Sequence, residues 1–246
     1  MKSSQKNIPL SIITICYNIK DEIEKTCLSI VNQTWQGFEW IVIDGGSTDG
    51  TVDILNKYRS RINVFISESD KGIFNAMNKG IKLASGEWLS FMNGGDAYAA
   101  NDVLEKVFKD KKYDADVLYG NVREFYTDSR ILIRRYPDEL NLDFFIDDSI
   151  NHQSSFIKRN LFDKFGLYDE IYKIVGDWEK WIVFMNNNCI FKKIDMVIAD
   201  FMRNGISSVI SELHLTERDT VHKQYFVKQS RYFLFGSLPL ITIEEN

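Results

Sequence analysis

The chain contains 246 residues, of which 44% are hydrophobic and 26% are charged, so it can form one large α/β domain or two small ones around a sizeable core. The formal net charge of −5 argues against nucleic acid as the main partner, because phosphate binding needs a basic face. Three scattered cysteines without CxxC spacing, no signal-peptide pattern and no apolar run near the roughly 20 residues of a membrane span predict a cytoplasmic protein.

Short apolar runs alternate with helical patterns over the first hundred residues. Continuous apolar runs predict buried strands at residues 10–16, 40–43, 64–66 and 88–92. Between these strands, apolar residues at helical spacing predict three helices, with core-facing residues Ile23, Cys27 and Ile30, then Val52, Leu55 and Tyr58, then Ile73, Met77, Ile81 and Ala84. Asn18 is predicted to cap the first helix. The alternation predicts an α/β fold with a mostly parallel sheet flanked by helices.

The second half of the chain has a less regular pattern. Residues 116–120 and 130–135 are predicted to form strands that pair as a ribbon, and residues 152–156 are predicted to form a further strand. Residues 177–185 have the spacing of a helix with an apolar stripe.

Polar loops follow all four predicted strands of the first half. Tyr17 and Asn18 follow the first strand, and residues 44–49, 68–70 and 93–96 follow the next three. Because ligands of such sheets bind beyond the carboxyl ends of the strands, we expect the four loops to share one crevice. The alternative is that these residues only form turns, since Asn, Asp, Ser and Gly are the usual turn residues.

Six segments carry a resemblance to a known family. They are SIITICYN (11–18), SIVNQTW (29–35), FEWIVIDGGSTDGT (38–51), SESDKGIFNAMNKGIKLASGEWLSFMNGGD (67–96), NHQSSFIKRNLFDKFGLYDE (151–170) and KIVGDWEKW (173–181). In this order they resemble the family 2 glycosyltransferases, which have the Rossmann-like GT-A fold, and within them the bacterial branch that builds capsule, exopolysaccharide or lipopolysaccharide. The resemblance implies inverting transfer of a sugar from a nucleotide-diphosphate sugar to a saccharide or lipid-linked acceptor. A uridine donor is expected, with guanosine and thymidine donors as alternatives.

The resemblance also implies a divalent cation, Mn²⁺ or Mg²⁺, beyond the fourth strand. The family has an acid-rich D-x-D motif there, and this chain has Asn93, Gly94, Gly95 and Asp96. Asp96 matches the last acid and is the predicted metal ligand, whereas Gly95 stands where a metal-binding aspartate is often found. The alternative is that Asp96 caps the helix beginning near Asn101 or closes a turn.

Contacts to the nucleotide sugar are expected in several loops on the same grounds. Tyr17 is predicted to stack on the base, and Asp44 matches the first acid of the loop after the second strand, where Gly45 replaces the usual second acid. For Asp70 and Lys79 the alternative is a local salt bridge or a solvated turn. The predicted nucleotide-sugar set is Thr14, Tyr17, Asn18, Asp44, Ser47, Asp70, Lys79, Asn93, His152 and Arg203.

Asp177 is the predicted catalytic residue. It matches the aspartate of the E-D motif of the family, with Gly176 in place of the glutamate, and the resemblance implies that it deprotonates the acceptor hydroxyl. The alternative is that Asp177 is only the N-cap of a helix that begins at Trp178. His152 is expected to contact the diphosphate or complete the metal shell, with ordinary packing as the alternative.

The resemblance sets the predicted domain limits. Residues 1–207 are expected to form the GT-A domain, with a nucleotide-sugar half at about 8–100 and an acceptor half at about 101–207. Residues 208–246 are expected to form a helical extension, in which residues 221–235 would make a basic and aromatic amphipathic helix. Such a helix fits either peripheral contact with the inner membrane face or packing against the domain or a second copy of the chain.

Three other functions are weighed against glycosyl transfer. A nucleotidyltransferase would need a glycine-rich, basic phosphate loop after the first strand, and CYNIKDE offers none. A NAD-dependent enzyme is disfavoured because no GxGxxG motif follows a strand. A non-catalytic nucleotide-sugar-binding subunit is the remaining alternative, because the D-x-D acids are incomplete.

Overall fold

The computed structural model describes residues 8–203 and 211–226. Strands and helices alternate in its first half: β1 (Leu10–Cys16), α1 (Lys20–Val31), β2 (Phe38–Asp44), α2 (Thr51–Lys57), β3 (Val64–Ser67), α3 (Ile73–Leu83) and β4 (Trp88–Phe91). Every residue of β1 and β4 is buried, as expected for central strands covered on both faces. The strands and helices predicted for this half are confirmed.

The second half contains shorter elements. They are β5 (Ala97–Tyr98), α4 (Val103–Phe108), β6 (Val117–Phe125), β7 (Ile131–Arg134), α5 (Phe144–Asp147), a 3-10 turn (His152–Ser154), β8 (Ser155–Lys158), α6 (Asn160–Phe165), α7 (Gly176–Asn186), β9 (Phe191–Met202) and α8 (Glu212–Tyr225). Strands β6 and β7 form an antiparallel pair, but through residues 122–125 of β6. The residues predicted for this ribbon, 116–120, instead pair with β8 and β9, so the predicted pairing is wrong in its register. Residues 152–154 form a turn and not the start of a strand, which begins at Ser155.

All the strands of the described residues belong to one sheet. Its order is β3-β2-β1-β4-β8-β6-β9-β5, and β7 pairs with β6 outside this path. The first four strands are parallel, while β8 is antiparallel to both β4 and β6. The sheet is therefore mixed, and the parallel arrangement predicted for it holds in the first half and for the pair of β6 and β9.

The reversed direction of β8 has a consequence for the site. Because β8 is antiparallel to its neighbours β4 and β6, its amino end lies at the same edge of the sheet as the carboxyl ends of β1, β4 and β9. The turn at His152–Ser154 precedes β8 and is thereby placed beside the loop that follows β4. Residues far apart in the sequence meet at this edge.

Close packing fixes the helices of the first half on the sheet. The buried face of α1 consists of Ile23, Thr26, Cys27 and Ile30. On α3, a Cβ at Gly80 would collide with Cγ2 of Ile13, so this helix lies directly against β1. A fully buried Leu, Ile or Phe side chain contributes roughly 1.5–3 kcal/mol, and the core includes Leu10, Ile12 and Ile13 at 0% exposure.

Two helix starts differ from the sequence prediction. The N-cap of α1 is Ile19, whose apolar side chain makes no cap bond, and the Asn18 amide oxygen accepts from the main chain of Thr48 at 2.9 Å. Helix α7 begins at Gly176, so Asp177 lies inside its first turn and is not its N-cap. The side chain of Asp177 thus remains available to the site.

The C-terminal extension contains α8, which packs on the domain. Tyr225 Oη donates to Glu179 on α7, and the guanidinium of Arg218 lies 4.3 Å from the ring centroid of Trp178. Residues 227–235 of the predicted amphipathic helix lie outside the described residues. Among the helices that the structure describes, none is long and apolar enough to cross a membrane.

Candidate active site

A cavity of about 470 Å³ opens at the edge where β1, β4 and β9 end. It receives side chains from α1, α7 and the turn before β8 as well as from the strand ends. The predicted site residues that line it are Tyr17, Asp70, Asn93, Asp96, His152 and Asp177. Five separate segments of sequence therefore supply one pocket.

Asp96 is buried, with an exposed fraction of 6%, and faces the cavity. Its Oδ2 accepts from the side-chain amide of Gln153 at 2.8 Å, and its Oδ1 accepts from the main chain of Met202 at 3.2 Å. Neither bond caps a helix, since the N-cap of α4 is Asp102. Burial raises the pKa of Asp96 to about 6, although the hydrogen bond from Gln153 acts in the opposite direction.

Two glycines let the loop before Asp96 lie against α1. A Cβ at Gly94 would collide with Cδ1 of Ile19, so a larger residue there would require the Ile19 side chain to move. Gly95 has φ of +95°, a conformation that L side chains rarely adopt. Its amide donates at 2.9 Å to the Thr26 hydroxyl, which donates in turn to the main-chain oxygen of Asp96 at 2.7 Å. The loop is therefore tied to one face of α1.

Asp177, His152 and Asn93 form a hydrogen-bonded row in the cavity wall. His152 Nδ1 lies 2.8 Å from Asp177 Oδ2, and His152 Nε2 lies 2.9 Å from Asn93 Nδ2. The second carboxylate oxygen of Asp177 accepts from the main chain of Trp178 at 2.8 Å. These bonds fix the orientation of both the imidazole and the carboxylate.

The oxygen atoms beside Asp96 fit a hard divalent cation. Gln153 Oε1 and Asn93 Oδ1 are buried and have no hydrogen-bond partner among the described residues. Carboxylate and amide oxygens are the ligands that Mg²⁺ and Mn²⁺ prefer. Within residues 8–203 and 211–226 no three His, Cys, Asp or Glu side chains form a metal cluster, so phosphate oxygens would have to complete the coordination.

Tyr17 and Asp70 line the same cavity and lie close together, since both come within 3.3 Å of the position of a Cβ on Gly45. Tyr17 is 62% exposed, which leaves its ring accessible for stacking. Asp70 Oδ1 accepts from the main chain of Gly72 at 2.8 Å. A Cβ at Gly45 would lie 2.7 Å from Asp70 Oδ2, so the Asp70 carboxylate occupies the space that a side chain at position 45 would fill. The Asp70 carboxylate thus lies where this chain has Gly45 in place of the second acid of the loop after the second strand.

The loop after β2 lies outside the cavity. Asp44 is fully buried and accepts from the main chains of Gly46 and Ser47, at 3.1 and 2.9 Å, and from the Ser67 hydroxyl. The Ser47 hydroxyl donates to Asp44 and accepts from the main chain of Asn18. Asp44, Ser47 and Asn18, predicted to contact the nucleotide, are thus engaged in bonds that shape two adjoining loops, and none of the three lines the cavity.

Thr14 and Lys79 are also kept from the cavity. Thr14 is fully buried inside β1, where its hydroxyl accepts from the indole of Trp40 at 3.0 Å. Lys79 pairs with Glu68 at 2.8 Å, which is the local salt bridge considered as its alternative. The structure brings neither of these predicted residues to the site.

A second cavity, of about 220 Å³, adjoins the first. His152, Gln153 and Asp177 line both, so the Asp177–His152 pair stands between them. Arg203 lines the second cavity and pairs with the buried Glu124 at 3.1 Å. The predicted Arg203 is therefore separate from the cavity that holds Asp96.

Helix α8 contributes residues that the sequence analysis missed. Arg218 lines the second cavity. Glu217 is 7% exposed, and its carboxylate accepts from the main chains of Lys173, Ile174 and Val175 at 2.7, 3.0 and 3.2 Å. These amides directly precede α7, so Glu217 stabilises the segment that leads to Asp177. Nothing in the spacing of α8 signals this contact, since it arises only from tertiary packing.

Two further residues of the first cavity were missed as site residues. Gln153 follows His152 directly, and this HQ pair at the start of a motif was the available signal. Glu22 lies in the first turn of α1 and lines the cavity. Acidic residues are common at helix starts, so its position gave no distinct signal.

A Rossmann-like α/β enzyme fold is defined by this sheet, with its site beyond the strand ends. The model of the family described as "Glycosyl transferase family 2" matches residues 11–176. A PGL/p-HBAD biosynthesis glycosyltransferase of Mycobacterium bovis is 31% identical over 216 residues, which are 85% of this chain and 82% of that protein. An uncharacterised glycosyltransferase of Mycobacterium tuberculosis is 32% identical over 206 residues, 81% of this chain and 77% of that protein. The chain therefore belongs to glycosyltransferase family 2 and is a glycosyltransferase.

Solved structures show the same fold. TarS 1–349 of S. aureus in complex with UDP-GlcNAc has a TM-score of 0.71 at 21% identity, covering 89% of this chain and 66% of that one. The mannosyltransferase PcManGT of Pyrobaculum calidifontis, in complex with GDP-Man and Mn²⁺, has a TM-score of 0.62 at 16% identity, covering 94% and 66%. The predicted GT-A fold is confirmed by these likenesses.

Proposed function

We propose that this enzyme transfers a sugar from a nucleotide-diphosphate sugar, with uridine as the base, to a hydroxyl of a saccharide or lipid-linked acceptor, with inversion. The observation that carries the proposal is the convergence of Asp96, the Asp177–His152 pair and Tyr17 on one cavity. The nucleotide sugars bound in TarS and PcManGT support the donor class, and the GDP-Man of PcManGT keeps a guanosine donor as an alternative.

Tyr17 and Asp70 are placed to bind the nucleoside. The accessible ring of Tyr17 offers a stacking surface for the base, and such stacking contributes roughly 1–3 kcal/mol. The Asp70 carboxylate beside it accepts hydrogen bonds from the base or the ribose. The diphosphate then extends toward Asp96 at the other end of the cavity.

Asp96 and the amide oxygens of Gln153 and Asn93 would hold a divalent cation against the diphosphate. When bound, Mn²⁺ or Mg²⁺ supplies electrostatic stabilisation of the charge that develops on the departing diphosphate. Gln153 also fixes the Asp96 carboxylate, since its amide nitrogen donates to Oδ2 at 2.8 Å. The presence of Mn²⁺ together with GDP-Man in the PcManGT complex supports this assignment.

Asp177 acts as the general base in this proposal. Its Oδ2 lies 2.8 Å from His152 Nδ1, which holds the carboxylate toward the boundary between the two cavities. The lone pairs left on the carboxylate accept the proton of the acceptor hydroxyl as its oxygen attacks the anomeric carbon. A single displacement of this kind breaks the sugar–phosphate bond as the new glycosidic bond forms, and it inverts the configuration.

The second cavity is the proposed acceptor site. It lies across the Asp177–His152 pair from the donor cavity, so a hydroxyl bound there would face the base. Arg134, Arg203 and Arg218 line it, and their donors suit hydroxyl, carboxylate or phosphate oxygens on the acceptor.

Donor hydrolysis tests the proposal without a known acceptor. UDP-, GDP- and dTDP-sugars would be incubated with the protein and Mn²⁺, and release of the nucleoside diphosphate measured. We expect one donor class to be hydrolysed, with the anomeric configuration of the released sugar inverted in NMR spectra. Asp177→Asn should slow hydrolysis about 10²- to 10⁴-fold, the usual contribution of a general base, and leave the Kd of the nucleotide within about threefold.

Asp163→Asn serves as the matched control, since the Asp163 side chain is 71% exposed on α6. This variant should hydrolyse the donor like the wild type. A wild type that binds a nucleotide sugar tightly without hydrolysing it would favour a non-catalytic binding role for the cavity. Hydrolysis by Asp177→Asn at the wild-type rate would remove Asp177 from the mechanism.

A further inference from the structure

Glu22 places a carboxylate where position 95 has no side chain. A Cβ built on Gly95 would lie 2.6 Å from Glu22 Oε2, so this carboxylate occupies the space beside the loop that ends in Asp96. Glu22 and Asp96 line the same cavity. Two carboxylates from separate elements, one on α1 and one after β4, thus face the same space.

Helix α1 fixes Glu22 relative to this loop. Ile19 and Ile23 pack against the position of the Gly94 Cβ, and Thr26 hydrogen-bonds to the main chain of Gly95. Residues 19, 22, 23 and 26 lie on one face of a helix, because residues three and four apart are neighbours. The carboxylate of Glu22 therefore projects from a face that is already locked to the metal-binding loop.

An unpartnered amide oxygen points to a ligand at the same place. Gln153 is 4% exposed and lines the cavity, and its amide nitrogen is used by Asp96. Its amide oxygen has no hydrogen-bond partner among the described residues, which is costly for a buried acceptor unless a ligand satisfies it. A hard cation bound by carboxylate and amide oxygens would do so.

We propose that Glu22 is the second protein carboxylate of the divalent-cation site and compensates for the missing acid at position 95. The proposal rests on the metal-assisted use of a nucleotide diphosphate proposed above. Mg²⁺ and Mn²⁺ are commonly held by one or two carboxylates together with substrate phosphates, so Glu22, Asp96 and the diphosphate make a sufficient set. The cation and the nucleotide then bind cooperatively, since each supplies ligands for the other.

The test is a titration of Mn²⁺ followed by the electron paramagnetic resonance signal of the free ion. Wild type, Glu22→Gln, Asp96→Asn and Asp21→Asn would be measured with saturating UDP, or with GDP or dTDP if the donor experiment selects that base. We expect Glu22→Gln and Asp96→Asn each to raise the Kd of Mn²⁺ at least tenfold. Asp21→Asn removes an exposed acid from the same first turn and should change it less than twofold.

The possible results separate the two proposals. Unchanged Mn²⁺ affinity in Glu22→Gln, with Asp96→Asn impaired, would overturn the role of Glu22 and leave the proposed function standing. A wild type that binds no nucleotide in the presence of Mn²⁺ would overturn both. Thermal unfolding of each variant in EDTA checks the fold, and an equal loss of Mn²⁺ affinity in Asp21→Asn would assign the effect to helix charge and refute the proposal.

Discussion

A buried carboxylate, Asp96, is central to the proposed donor site. Asp96 is held by one side-chain amide and one main-chain amide, and it is almost removed from water. Burial disfavours the charged form, and this explains why its pKa rises to about 6 despite both hydrogen bonds. A bound cation would offset this cost by stabilising the charged carboxylate. We therefore expect the site to bind a cation above about pH 6, where Asp96 is charged.

The stability of the metal-free protein should depend on pH through Asp96. The ordinary value of 3.8 applies to the unfolded chain, so between about pH 4 and pH 6 unfolding releases a proton that the folded state retains. The wild type therefore loses stability as the pH rises through this window, by up to roughly 3 kcal/mol, and Asp96→Asn does not. In urea unfolding with EDTA, the stability of Asp96→Asn relative to wild type should increase from pH 4.5 to pH 7.5.

Asp163→Asn is the control for this experiment, because its carboxylate is exposed on α6 and the variant should differ little from wild type in stability at either pH. A constant difference for Asp96→Asn as well would mean that Asp96 titrates at its ordinary pKa in the folded protein.

At the level of elements, α8 stabilises the segment that leads into α7. Glu217 accepts three main-chain hydrogen bonds from the segment Lys173–Val175, and Ile174 and Val175 are buried. These amides lie directly before α7, which begins at Gly176, so the carboxylate fixes the segment that leads into the helix. The helix and its site residue Asp177 thus depend on an element that lies beyond the matched family region, which ends at residue 176.

Glu217→Ala should therefore reduce both stability and activity. Losing the carboxylate leaves two buried amides without acceptors, which we expect to cost about 2–4 kcal/mol in the free energy of unfolding. Donor hydrolysis should fall mainly in kcat, since Asp177 shifts while the nucleoside contacts stay in place.

Urea unfolding and hydrolysis kinetics measure the two effects. The control is Asp219→Ala, which removes an exposed acid on the same helix and should change stability by less than about 0.5 kcal/mol. A variant as stable and active as wild type would show that α8 does not support α7.

The contrast between elements explains what the sequence could predict. The strands of the first half are continuous apolar runs buried on both faces, so their pattern alone predicts them, as in β1 and β2. The contact between Glu217 and the start of α7 depends on packing between residues more than 40 positions apart and has no local pattern. The turn before β8 was predicted as a strand because its polar residues adjoin a short apolar run, and only the antiparallel pairing places His152 at the site.

The same reasoning applies to the site residues across the whole molecule. The positions of Tyr17, Asp70 and Asp96 after predicted strands were enough to predict that they share a cavity, because strand ends converge. Asp177 lies in the first turn of α7 and was predicted from the family resemblance alone. Asp44 and Thr14 were predicted as site residues in the same way, but their side chains make hydrogen bonds inside the fold and do not line the cavity. Glu22 and Asp70 could not be predicted as replacements for the acids missing at Gly95 and Gly45, since only the folded chain brings them to those positions.

In the proposed function the first cavity binds the nucleoside at Tyr17 and the diphosphate at Asp96, both of which line it. Mn²⁺ should strengthen UDP binding, and by thermodynamic linkage UDP should strengthen Mn²⁺ binding by the same factor.

Tyr17→Ala should raise the Kd of UDP about tenfold with or without Mn²⁺, because it removes stacking on the base. Asp96→Ala should leave UDP binding without metal nearly unchanged and abolish the strengthening by Mn²⁺. Calorimetric titrations of the wild type and both variants, in EDTA and in Mn²⁺, measure these effects. Strengthening by Mn²⁺ that persists in Asp96→Ala, or that disappears in Tyr17→Ala, would contradict this division of the cavity, because each variant would then act at the wrong end of the nucleotide.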